Sequence, residues 1–141
     1  MNQIVYLLGA LLASVGGALS FYFHGVYSGK FQKHLWWIPS FIRIETSKCT
    51  SIVETPFGKM LGRPNAEFGI IFFPVYAVLL IFTSFGYVNP IIPLSAAILT
   101  VVVGTYLSYG LIRLNVLCRV CVTVHLLNLF NFLLQLWAFT S

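Results

Sequence analysis

Residues Phe68–Tyr87 read FGIIFFPVYAVLLIFTSFGY, a block of apolar and small side chains without a single charge. A helix needs about 20 such residues to cross the hydrocarbon core of a bilayer. Blocks of the same length and character occur at Ile4–Phe23, Ile91–Ile112 and Val120–Phe139. The sequence therefore predicts an all-α integral membrane protein, a bundle of four transmembrane helices.

The composition favours the same class of protein. Of the 141 residues, 59% are hydrophobic and only 8% are charged, whereas a soluble domain carries about 25% charged residues. The first block is not expected to be a signal peptide, because no basic residue precedes it and further spans follow. We expect one domain over residues 1–141, crossing a cell membrane several times, in contact with lipid and with no nucleic acid.

The segment between the first two spans, residues 25–67, is too long for a simple connector and is where we expect function. Within it, Lys30–Trp37 combines basic residues, a histidine and two tryptophans. That composition is typical of a short amphipathic helix at the membrane interface. The simpler interpretation of the tryptophans is an aromatic belt, and the functional one is a lid over a pocket at membrane level. The two are compatible.

Two of the three cysteines, Cys118 and Cys121, form a Cys-Arg-Val-Cys motif where the fourth span begins. Such a pair can close a small disulfide or bind a metal, and a helix start with Arg113 and Arg119 nearby favours the thiolate form. A zinc site made of the three cysteines and a histidine is the competing interpretation. We do not favour it, because His125 lies inside the span, below the thiol pair, and we expect no metal.

The fourth span also carries a polar stripe. At about 100° per residue, Cys118, Cys121, His125 and Asn128 fall on one helix face. Polar groups in a membrane helix are expected to face the bundle interior. Hydrogen bonds that merely hold the helices together would explain Asn128 and His125, but His125 lies one turn below a thiol, which favours a functional role.

Three stretches follow one known pattern in order: CTSIVETPFG at Cys49–Gly58, LGRPNAEFG at Leu61–Gly69 and CRVCVTVH at Cys118–His125. With the four spans and the long first loop, they resemble the vitamin K epoxide reductase family, including its bacterial and archaeal homologues. The resemblance covers nearly the whole chain. It implies a membrane thiol oxidoreductase that passes two electrons to a quinone.

The resemblance also implies roles for the thiols. Cys121 would face the quinone ring, and Cys118 would exchange with a loop cysteine, for which Cys49 is the match. The family normally has a second loop cysteine a few residues earlier, but here Phe41–Ser47 contains no thiol. The chain would then take electrons directly from a partner's thiols, unless a cysteine has been replaced.

The resemblance implies three further residues at the quinone site, and the span aromatics suggest a fourth. Asn65 matches the family's asparagine that hydrogen-bonds a quinone carbonyl, and His125 matches a tyrosine of the vertebrate members. Thr55 matches a serine or threonine near the site. Phe72 would supply apolar wall, although span aromatics are more often simple packing. The quinone would be menaquinone, ubiquinone or a similar compound.

The predicted activity is oxidation of protein thiols by a quinone, in support of disulfide-bond formation, with a thioredoxin-like carrier or client protein thiols as partners. Reduction of a quinone epoxide is an alternative that uses the same residues on another substrate. A second alternative is a non-enzymatic tetraspan protein with structural or metal-binding thiols.

The charge distribution predicts the orientation. All eight basic residues lie on the side of the long first loop: Lys30, Lys33, Arg43, Lys48, Lys59, Arg63, Arg113 and Arg119. The positive-inside rule places such loops in the cytoplasm, whereas the resemblance implies an active face on the oxidising side. Because hyperthermophiles keep disulfides inside the cell, the two can be reconciled, and we favour a cytoplasmic active face.

Overall fold

A computed structural model describes residues 2–30, 32, 36–39, 42, 62, 65–115 and 118–140. These ranges contain four long helices and no strand: α1 (Asn2–Tyr27), α2 (Asn65–Ser84), α3 (Ile91–Arg113) and α4 (Arg119–Thr140). Each helix is long and apolar enough to cross a membrane. The predicted four-helix membrane bundle is confirmed, and the chain is a multi-pass membrane protein.

In three of the helices, the second residue after the helix end has a positive φ, as expected where a left-handed residue stops a helix. These residues are Gly29 (φ 81), Gly86 (φ 85) and Asn115 (φ 53). Beyond Gly86, the Tyr87 N–H bonds back to Phe82 O at 3.0 Å. This turn ends α2 at Ser84, whereas the hydropathy block predicted a span that included Tyr87.

The helices pack in a definite order. α1 packs against α2 and α4, and α3 packs against α4, whereas α2 and α3 contact each other far less. Large apolar side chains cover the outer surface of the bundle, for example Ile4, Ile71, Val75, Leu99, Val102 and Leu126. That surface suits lipid, and the sparse contact between α2 and α3 leaves space inside the bundle.

Small residues let α1 and α2 approach closely. A Cβ added at Gly16 would lie 3.2 Å from the Phe73 ring, and one at Gly17 would lie 3.2 Å from Phe73 Cβ. A larger side chain at either position would therefore push the Phe73 ring and α2 away from α1.

The two ends of the bundle bury different kinds of side chain. The loop end is where α1 ends and α4 begins, and its buried core contains Tyr22, Cys118 and Val120 together with Ile38 and Ile42 from the loop. Ile38 is only 2% exposed. Part of the long loop therefore packs on this end of the bundle.

The far end, beside the turn between α2 and α3, contains a buried polar network. Gln135 Nε2 donates to the Tyr76 hydroxyl and, at 2.9 Å, to Asn131 Oδ1. Asn131 Nδ2 donates to Gly9 O at 3.1 Å, and the Tyr76 hydroxyl donates to Pro93 O at 3.3 Å. The network joins all four helices.

Candidate functional site

A cavity of about 430 Å³ lies between the four helices in the half of the bundle nearer the loop end. Most of its lining is apolar, as suits a flat hydrophobic ligand. A few polar side chains and one thiol interrupt this lining: Ser20 from α1, Asn65 from α2, Thr100 from α3, and Cys121, His125 and Asn128 from α4. The cavity therefore combines an apolar body with a small set of groups able to orient a ligand.

The polar face of α4 turns toward this cavity. Cys121, His125 and Asn128 follow one another at helical spacing and all line it. Cys118 comes just before the helix and is fully buried in the loop-end core. Of the four residues in the predicted stripe, three therefore line the cavity, and the fourth, Cys118, lies in the loop-end core.

His125 is fitted against α3 at a glycine. A Cβ added at Gly104 would lie 3.2 Å from His125 Nδ1, so a side chain at that position would crowd the imidazole. His125 Nδ1 is buried and has no hydrogen-bond partner within the described part of the chain. A buried polar atom left unpaired is costly, and a ligand carbonyl or a water in the cavity would satisfy it.

α2 contributes the other predicted residues. Asn65 is the first residue of the helix and Phe72 lies two turns further along it, and both line the cavity. Phe72 also stacks on Tyr76, with ring centroids 5.3 Å apart. The structure thus brings Asn65, Phe72, Cys121 and His125 to one cavity. Thr55 and Cys49 lie outside the described residues.

The two thiols of the motif differ in state. Cys121 is free, whereas Cys118 is in a disulfide bond whose partner lies outside the described residues. The motif is therefore not closed on itself in this structure. Among the described residues, no three histidine, cysteine or acidic side chains are grouped as metal ligands. The competing zinc site includes Cys49, which lies outside the described residues.

At the loop end, α1 and α2 are bridged by a contact between a histidine and a glutamate that was not predicted from the sequence. His24 Nε2 at the end of α1 lies 3.7 Å from Glu67 Oε1 in the first turn of α2. Both side chains are about a quarter exposed. This contact connects the two helices close to Asn65 and so helps to fix the position of that residue at the start of α2.

Half of the residues of the predicted interfacial helix over Lys30–Trp37 lie outside the described ranges. Trp36 and Trp37, which are described, lie in a turn. Trp36 is 91% exposed, and Trp37 packs edge-on against Tyr22 with ring centroids 6.2 Å apart. One tryptophan is therefore free to contact lipid while its neighbour covers the loop end.

Sequence reasoning missed the contributions of α1 and α3. Ser20 and Gly104 shape the cavity, but neither belongs to a motif. A hydroxyl in an otherwise apolar span was the one available signal for Ser20. Gly104 resembles the other small residues that membrane helices use for packing.

Comparison with known proteins assigns the chain to a family. A search of curated proteins finds no match. The model of the vitamin K epoxide reductase family matches residues 7–136, which include all four helices almost completely. Members of this family are membrane oxidoreductases that act on quinones. The chain belongs to the vitamin K epoxide reductase family.

Proposed function

We propose that this protein oxidises protein thiols and delivers the electrons to a quinone through Cys118 and Cys121, in support of disulfide-bond formation. One observation carries the proposal. The free thiol of Cys121 lines the same apolar cavity as Asn65 and His125, and Cys118, three positions away, is already in a disulfide. Thiol chemistry and a hydrophobic ligand site therefore meet at one residue.

The cavity fits a quinone. Its lining is mainly apolar, and its polar groups lie on opposite helices: Asn65 on α2 and His125 on α4. A bound quinone supplies the acceptor for two electrons and two protons. Asn65 and His125 would hold the carbonyl oxygens by hydrogen bonds, and Phe72 would pack on the ring. Donors fixed in this way also stabilise the negative charge that builds on the oxygens during reduction.

Electrons enter by thiol–disulfide exchange. Since the chain has three cysteines and Cys121 is free, we propose Cys49 as the disulfide partner of Cys118. A partner thiolate attacks Cys49 and releases the Cys118 thiolate. A second partner thiol then resolves the mixed disulfide and releases Cys49. The partner leaves with a disulfide, and the chain holds the two electrons as thiols.

Cys118 and Cys121 then close into a disulfide and give up these two electrons. Cys49 attacks Cys118, which frees Cys121 and restores the starting state. The cycle balances: two partner thiols become one disulfide, and two electrons and two protons leave toward the acceptor. With no second loop cysteine in Phe41–Ser47, Cys49 itself must meet the partner, which we take to be a thioredoxin-like carrier or a client protein.

The test uses purified full-length protein in lipid nanodiscs. Short-chain menaquinone and ubiquinone are added in turn with a reduced dithiol protein, and quinone absorbance and dithiol content are followed together. Equal loss of quinone and dithiol over many turnovers is the expected result in the wild type. Cys121→Ala should consume no quinone and at most one equivalent of dithiol per protein, because its disulfide at Cys118 can still be reduced once. Turnover with a quinone epoxide but not with a quinone would instead indicate that the protein reduces quinone epoxides. Absence of any quinone binding or turnover would refute the proposal and favour structural thiols.

A further inference from the structure

Ser20 differs from nearly all other hydroxyl residues of the four helices. In a membrane helix a serine or threonine usually donates back to a carbonyl three or four residues earlier, because lipid offers no other partner. Eight helical hydroxyls in the described part of the chain do so: Ser14, Thr83, Ser84, Ser95, Thr100, Thr105, Thr123 and Thr140.

Ser20 makes no such bond, nor any other hydrogen bond within the described residues, although it is only 7% exposed. The other exception, Ser108, is less buried and lies outside this cavity. Ser20 lines the cavity. A hydroxyl on such a largely buried residue that forgoes the local carbonyl leaves a donor available to whatever occupies the cavity.

The hydroxyl occupies space that a glycine on the neighbouring helix leaves open. A Cβ added at Gly69 would lie 2.5 Å from Ser20 Oγ and 3.0 Å from Ser20 Cβ, closer than real side chains approach. Ser20 therefore occupies the space that a side chain at position 69 would fill. Asn65 lies one turn from Gly69 on the same face of α2. Ser20 and Asn65 thus reach the cavity from the same side, opposite Cys121 and His125 of α4.

We propose that Ser20 donates a hydrogen bond to the bound quinone, together with Asn65 and on the same carbonyl oxygen, while His125 serves the other oxygen. This inference rests on the proposed function. A carbonyl oxygen has two lone pairs and can accept from two donors at once. Hydrogen bonds to a charged oxygen are about twice as strong as those to a neutral one. Two donors on one oxygen therefore favour reduction more than they favour binding of the oxidised ring.

The test compares Ser20→Ala with Ser14→Ala, a matched control on the same helix whose hydroxyl bonds to Ala10 O. Short-chain menaquinone and ubiquinone, each isotope-labelled at one carbonyl or the other, are bound to the oxidised protein, and the two carbonyl stretching bands are recorded by infrared difference spectroscopy. Ser20→Ala should raise the frequency of the same band that Asn65→Ala raises, and leave unchanged the band that His125→Phe raises. Ser14→Ala should move neither.

Affinity supplies a second readout. Loss of one neutral hydrogen bond weakens quinone binding by roughly 2- to 12-fold, and the reduction rate should fall further. Gly69→Ala keeps the hydroxyl but displaces it, and should move the same infrared band. In a Ser20→Ala background the added Gly69→Ala should change that band little, since the hydroxyl it displaces is already gone.

Two outcomes would overturn the inference while the proposed function stands. In one, Ser20→Ala matches Ser14→Ala in both bands and in affinity while the wild type still reduces quinone. In the other, Ser20→Ala moves the band assigned to His125, so that the pairing with Asn65 is wrong. If the wild-type protein binds no quinone at all, the proposed function itself fails and Ser20 loses its ligand with it.

Discussion

The two ends of the bundle use polar residues in opposite ways. At the far end, Gln135 and Asn131 bond to each other and, through Tyr76 and two backbone carbonyls, to every helix. Toward the loop end, His125 Nδ1 is buried without a partner in the described part of the chain, and Ser20 avoids the usual backbone bond. Polar groups in a membrane interior must find partners. The far end supplies most of them from within the protein and leaves Gln135 Oε1 without a partner among the described residues. The half of the bundle nearer the loop end leaves them to a ligand in the cavity.

The largest effect, on quinone turnover, should come from substitution of the thiols near the loop end. Cys121→Ala should reduce quinone turnover to the rate measured without protein, because the proposed electron donor to the cavity is lost. Stability should change by less than about 1 kcal/mol, as for most substitutions that open no large void. Stopped-flow absorbance measures the first quantity, and unfolding in mixed micelles measures the second.

Cys118→Ala provides the matched comparison. It should also block turnover, but Cys121 should remain a thiol that a bound unreactive quinone analogue shields from alkylation. Mass spectrometry after brief alkylation reports this shielding. If the analogue gives Cys121 no protection, the placement of that thiol at the ligand is wrong.

The next prediction asks which compartment each end faces. In the sequence, all eight basic residues lie in the long first loop or beside the connection between α3 and α4, so we expect the loop end in the cytoplasm. A membrane-impermeant thiol reagent should then fail to label Cys49, as the sole cysteine, in intact reduced cells and should label it once the membrane is opened. Asn89→Cys, in the turn at the far end of a cysteine-free chain, should be labelled from outside. The reverse pattern would place the active face, and hence its thiol partners, outside the cytoplasm.

Loss of the polar network at the far end should lower the stability of the bundle more than loss of the polar groups that line the cavity. Gln135→Ala leaves Tyr76 and Asn131 with fewer partners in a buried site and should destabilise the bundle by about 1–3 kcal/mol. Leu136→Ala, at the neighbouring lipid-facing position, should cost less and serves as control. Steric-trapping or detergent unfolding measures both. A large fall in quinone affinity with unchanged stability would show that the two ends are not separate in function.

The sequence predicted the four helices because unbroken apolar blocks and glycines such as Gly86 mark where helices run and stop. It also predicted the face of α4, since Cys121, His125 and Asn128 follow the helical period. It could not identify the faces of α1 and α3 that reach the cavity. Helices surrounded by lipid are apolar on all sides, so the amphipathic pattern that reveals the inner face of a soluble helix is weak.

The polar network at the far end could not be predicted from the sequence for a related reason. Tyr76 and Gln135 are 59 positions apart in the chain, and nothing local to either residue indicates the other. Their pairing depends on how α2 and α4 pack, which only the folded structure shows. The roles that the family resemblance predicts for Cys49 and Thr55, which lie outside the described ranges, stay predictions.

A smaller effect is expected for the predicted carbonyl donors. Asn65→Ala and His125→Phe should each weaken quinone binding by about 0.5–1.5 kcal/mol, the value of one hydrogen bond, or more if a buried partner remains unpaired. Neither should affect stability as Gln135→Ala does, because neither belongs to the far-end network. Titration of short-chain menaquinone and ubiquinone into nanodiscs measures the affinities. Unchanged affinity in both variants would remove these residues from the ligand site.

The smallest effect is expected for Gly104→Ala, which displaces the His125 imidazole without removing it. Gly104→Ala retains the imidazole but places a Cβ 3.2 Å from Nδ1, so the ring must shift by a few tenths of an ångström. Because alanine is the better helix former by about 1 kcal/mol, the stability of the bundle should hold or rise slightly. Quinone affinity should nevertheless fall, by less than with His125→Phe.

Val102→Ala on the lipid-facing side of α3 is the control, and it should leave quinone affinity as in the wild type. In a His125→Phe background, Gly104→Ala should cause no further loss of hydrogen bonding, since the nitrogen it displaces is absent. An additive loss in the double variant would mean that Gly104 acts on the ligand directly, as part of the cavity wall, and not through the position of the imidazole.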